Sequence, residues 1–119
     1  MPRVRFLDDT LHVMARWAAH RYRLNVQVMF CDGIEGKNRD GESGCAYFVR
    51  RGQAVIELNT HRTHSALVQV LAHELTHVIA MRRFGYEGHG PIFRRNLSRL
   101  VADWNAYARG GARQWIGAS

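Results

Sequence analysis

The sequence predicts an α+β fold: an N-terminal helix, a small three-stranded sheet and two further helices. Three observations carry this. Residues 8–21 repeat apolar side chains at helical spacing. Residues 24–58 contain three short segments with the alternation or β-branched content of strands. Residues 65–104 form two helix-favouring runs parted by a glycine-rich turn. With 119 residues and 46% apolar composition, the chain reads as one domain over 1–119, undivided by linker, repeat or low-complexity tract.

The first helix follows from Leu7, Leu11, Met14, Ala15, Ala18 and Tyr22, with Trp17 widening the apolar face. Asp8 and Asp9 suit its positive end, and His12 and His20 fall on its polar side. Residues 24–30 alternate: Leu24, Val26, Val28 and Phe30 share one face, and Asn25, Gln27 and Met29 the other. Residues 32–44 are polar with four glycines, and read as a loop that can serve as a flap at a cleft rim. Residues 45–50 and 53–58 read as a hairpin about Arg51-Gly52. The strand Val55-Ile56-Glu57-Leu58 is expected at the edge of a cleft, where an extended chain can pair with it.

The run 65–84 lacks Gly and Pro. Thr63 and Ser65 are both suited to cap its start, Gly85 to end it in a left-handed turn, and Arg82 and Arg83 to face the negative end of the dipole. Pro91 fits the first turn of the last helix, whose stripe is Phe93, Leu97, Leu100, Val101 and Trp104.

Within 65–84 lies His73-Glu74-Leu75-Thr76-His77. Residues four apart on a helix sit one above the other, so both imidazoles can bind one cation from a rigid element. Glu74 then lies where a general base toward an activated water is needed. The surrounding helix is apolar on most of its circumference, and burying these three polar groups without partners would be costly. A zinc ion satisfies all three. The third ligand should lie past the turn, where Glu87 and His89 are candidates. Glycines on both sides of His89 favour it, because they let the backbone bring the ring close.

Two motifs together, His73-Glu74-Leu75-Thr76-His77 and His89-Gly90-Pro91-Ile92-Phe93, resemble the SprT-like metallopeptidases, the family that includes Spartan. Ile56-Glu57-Leu58-Asn59 before the motif helix is similar to the family's strand ending. The likeness runs from about Leu7 to Trp104. It implies a zincin-like minimal metallopeptidase core, with His73, His77 and His89 as zinc ligands and Glu74 as the catalytic residue. It also implies action on proteins bound to or crosslinked with DNA. The cysteine-rich ribbon of many relatives does not follow Trp104, so substrate selection is expected in the core or in a partner.

Net charge is +7, and sixteen of the seventeen basic residues are arginine, whose planar fork suits phosphate. An arginine-rich surface of this kind is a candidate for DNA. No apolar stretch is long enough to span a bilayer, and residues 1–5 lack the apolar segment of a signal peptide, so a cytoplasmic location is the expectation. Cys31 and Cys45 are not spaced as a metal pair and read as reduced core residues. His61, His64, Tyr47 and Tyr86 are candidates to support an oxyanion. The expected activity is peptide hydrolysis. The alternatives are a zinc hydrolase of a non-peptide amide, and a small basic DNA-associated module whose zinc is structural. A structural site is closed by four protein ligands; a catalytic one keeps a position open.

Overall fold

The computed structural model describes residues 10–31, 44–50, 53–59 and 63–111. It is α+β. Helix α1 spans Thr10–Arg21, strands β1, β2 and β3 span Asn25–Cys31, Gly44–Arg50 and Gln53–Asn59, and helices α2 and α3 span His64–Phe84 and Pro91–Ala106. A π-helical turn, Tyr107–Gly111, extends α3.

Helix α1 buries Met14, Trp17 and Ala18 and leaves His12 and His20 in solvent, as its spacing requires. It ends where Arg23 takes a left-handed conformation, with φ of 56°. The reversal feeds β1, and the amide of Leu24 donates back to the Ala19 carbonyl at 2.9 Å.

The sheet order is β1-β3-β2. β1 runs parallel to β3, from Asn25 opposite Gln53 to Cys31 opposite Asn59. β2 runs antiparallel to β3, from Gly44 opposite Leu58 to Arg50 opposite Gln53, so the hairpin pairing is present. Residues 51–52 at its tip lie outside the described residues. The expected edge strand is corrected here. β3 is central, because β1 pairs along its second side, and Ala54, Ile56 and Leu58 are buried. Among the described strands, β1 and β2 are the edges.

Two smaller expectations also change. Gly44 opens β2 rather than closing a loop. A Cβ there would stand 2.7 Å from both the Glu57 carbonyl oxygen and Val70 Cγ1, so only glycine lets β2 approach α2 this closely. The loop and flap reading of residues 32–43 falls outside the described residues. Phe30 does not join Val26 and Val28 in packing on the core; near the end of an edge strand it is exposed.

Helix α2 is the spine. Thr63 caps it: its Oγ1 accepts from the Ala66 amide at 3.2 Å, which decides between Thr63 and Ser65. Leu67, Val68, Leu71, Leu75, Val78 and Ile79 are buried, joining Ile56 and Leu58 of the sheet and Leu100, Val101 and Trp104 of α3. Each such side chain contributes roughly 1.5–3 kcal/mol by leaving water. Gly85 ends α2 at φ 63° and ψ 31°, and the amides of Gly85 and Tyr86 donate to the carbonyls of Met81 and Ala80. Pro91 then starts α3, which returns along α2 with the predicted stripe inward; Leu97 is only half-buried, and Asn96 is buried beside the stripe. No helix among the described residues is long and apolar enough to cross a membrane.

Candidate metal centre

His73 and His77 project from one face of α2, with ring centroids 4.9 Å apart. The Gly85 reversal and the start of α3 carry His89 back to them. Its Nε2 lies 2.9 Å from His77 Nε2 and 3.3 Å from His73 Nε2. Of the two candidates for the third position, His89 is the one whose ring reaches the others. Glu87 does not belong to the group whose donor atoms lie within 4.8 Å of one another.

These distances test the fit of a cation. Donors arranged tetrahedrally at about 2.0–2.1 Å from zinc stand roughly 3.3 Å from one another. The Nε2 atoms of His73, His77 and His89 converge at nearly that spacing. A shared cation would be coordinated by all three. His73, His77 and His89 therefore suit a metal ion.

The local sequence explains how the rings are held. Phe93 is buried beneath all three, with centroids 4.8 Å from His73, 4.6 Å from His77 and 5.0 Å from His89. The turn that carries His89 is fixed by Tyr86, whose hydroxyl oxygen accepts from the Gly90 amide at 2.8 Å. A Cβ at Gly88 or Gly90 would meet that oxygen at 2.5 or 2.7 Å. The glycines are thus needed for room around a phenol. Among the described glycines only Gly85 uses the left-handed backbone that glycine favours.

Burial, and then the neighbouring His89, hold His73 below the usual imidazole range. Burial, and then His73 and His89, push His77 down to about 4. Both rings are therefore neutral at physiological pH, which is the form that ligates a metal.

The cluster opens into a cleft of about 360 Å³. α2 supplies His73, Glu74 and His77 to its wall, and the turn after α2 supplies Glu87 and His89. The other wall is β2, through Gly44, Cys45, Ala46 and Phe48. Glu74 is 7% exposed, and its place in the cleft beside the cluster is where the sequence put it. Cys45 is a half-buried thiol on this wall, hydrogen-bonded to the Tyr47 hydroxyl at 2.9 Å, rather than a core residue; the Cys31 side chain is outside the described residues.

Of the expected oxyanion candidates, those among the described residues do not line the cleft. Tyr86 is engaged by the turn. Tyr47 bonds Cys45 and does not line the cleft. His64 is exposed at the first turn of α2, and His61 lies outside the described residues.

The sequence model of one protein family, described as SprT-like, matches residues 11–107, a span that holds all but the first residue of α1, the sheet, α2, α3 and all three histidines. The chain belongs to the SprT-like family. Comparison with curated proteins and with solved structures returned no match. For this SprT-like chain, sequence reasoning missed the bracing by Tyr86 and the contribution of β2 to the cleft. It also placed Phe93 in the stripe and in the second motif without giving it a part in holding the rings. Phe93 had a signal, four residues after His89. The part played by β2 had none, because it depends on strand order.

Proposed function

We propose that this SprT-like protein is a zinc-dependent metallopeptidase. The observation that carries the reading is the convergence of three imidazoles beside a buried carboxylate, in a cleft walled by an edge strand. Among the described residues no fourth His, Cys, Asp or Glu joins the group, which favours an open catalytic position over a closed structural site. Zinc held there supplies Lewis acidity, activating water and polarising a carbonyl.

The chain's own residues do the rest. Glu74, largely withdrawn from water, takes a proton from the attacking water and delivers it to the leaving nitrogen. Phe93 fixes the three rings, so none must reorganise during reaction. β2, with one side paired to β3, offers its other edge to the main chain of an extended substrate. Such pairing accepts many sequences. The arginine-rich composition supports DNA-associated proteins as the substrate class.

The test is hydrolysis of an unfolded protein by the zinc-loaded chain, with and without DNA. Glu74→Gln should keep its zinc and lose activity by about 10²- to 10⁴-fold. Hydrolysis preserved in that variant removes Glu74 from the mechanism. A folded, zinc-loaded wild type that cleaves no protein overturns the peptidase reading.

A further inference from the structure

We propose that Glu87 is a specificity-determining residue that receives a lysine or arginine side chain of the substrate beside the scissile bond. This rests on the peptidase reading for its consequence, but its evidence is separate. Glu87 lines the same cleft as His73, Glu74 and His77. It stands outside the metal-capable group, so ligation does not account for it. It is exposed, and among the described residues it has no hydrogen-bond or ion-pair partner.

Its setting also contrasts with the rest of the molecule. The chain carries seventeen Lys and Arg against ten Asp and Glu. The described residues lining the cleft include two carboxylates and no Lys or Arg. Glu74 is the buried one and is assigned to proton transfer; Glu87 is the one open to an incoming charge. Ala46 and Phe48 of β2 give the same cleft apolar surface, along which the methylene stem of a long basic side chain can lie. A cleft of this make-up selects basic protein segments even though the chain as a whole is basic. An exposed pair of this kind is worth about two- to five-fold in affinity and weakens with salt.

The experiment uses two labelled ten-residue peptides of identical composition and zero net charge. One has a central lysine and a terminal glutamate, and the other has them exchanged. Equal net charge cancels attraction to the basic surface. Binding is measured on the zinc-loaded Glu74→Gln protein, and cleavage on the zinc-loaded wild type. The central-lysine peptide should bind and be cleaved about two- to five-fold better at low salt, with the preference shrinking at 0.5 M NaCl or thereabouts. Adding Glu87→Gln should erase the preference at unchanged zinc content, and Glu87→Lys should invert it. A preference that survives Glu87→Gln, equal handling of the two peptides, or zinc lost from Glu87→Gln overturns the proposal. Selective binding without cleavage by the wild type supports the charge selection and sinks the peptidase reading instead. Neither binding nor cleavage of either peptide overturns both.

Discussion

This fold holds two clusters of rings, and they are built on opposite principles. At one, Trp17 meets Tyr22 and Trp104 edge-on and Tyr107 nearly face to face, with centroids 5.3–5.8 Å apart. These are the arrangements that aromatic quadrupoles favour, and they account for the cluster outright. The polar end is led away: the Tyr22 hydroxyl donates to Asp103 at 2.8 Å, and Arg21 stands 3.8 Å from the same oxygen. At the other, His73, His77 and His89 turn their nitrogens inward over Phe93. Ring packing explains why those rings are close; it does not explain why their basic atoms face one another. Packing alone suffices for the indoles, whereas the imidazoles call for a cation.

The comparison can be broken at its strongest point first. Trp104→Ala empties the aromatic cluster and should cost about 3–5 kcal/mol in denaturant unfolding, with zinc stoichiometry unchanged in the protein that remains folded. A loss of zinc at low denaturant would mean the two clusters are not independent. His77→Ala should abolish tight zinc binding and leave the aromatic packing in place. With zinc at a thousand times its dissociation constant, the wild type gains about 4 kcal/mol from the metal, and the variant should show none of that gain in thermal melts with and without chelator.

Smaller effects sharpen the contrast. Tyr22→Phe keeps the edge-on ring and removes one hydrogen bond, so it should cost about 1 kcal/mol; a cost as large as that of Trp104→Ala would make Asp103, not ring packing, the keystone. The last test is acid. The fold lowers the pKa of His77 to about 4 from an ordinary value near 6.5, so the folded chain binds fewer protons than the unfolded one between these values. This contribution to stability is present above about pH 6.5 and is lost as pH falls toward 4. Metal-free protein should therefore weaken across that window in urea titrations, and His77→Gln should weaken less. Identical slopes for the two would remove His77 as the cause.

Much of this was legible in the sequence because it is local. The unbroken run before Gly85, the i, i+4 histidines and the proline at the start of α3 each act within a few residues, and the structure has them as read. The stripe through Phe93, Leu100, Val101 and Trp104 was equally plain. Strand order was not. Placing β3 in the middle requires β1 to pair with it in parallel across more than twenty residues of chain, and no alternation pattern encodes that choice. The glycines around His89 were noticed, but not the neighbour they leave room for. Their role depends on where a tyrosine hydroxyl comes to rest, which only the folded turn reveals.

The same 21-residue rod bears the heart of the interior and two of the three nitrogen donors. Four residues of helical rise, about 6 Å, set the spacing of that pair, so no loop has to be tuned to hold those two. Chemistry is thereby mounted on the element with the most to lose by opening. Warming can fray the ends of this molecule and leave His73 and His77 in register, until the rod itself comes apart.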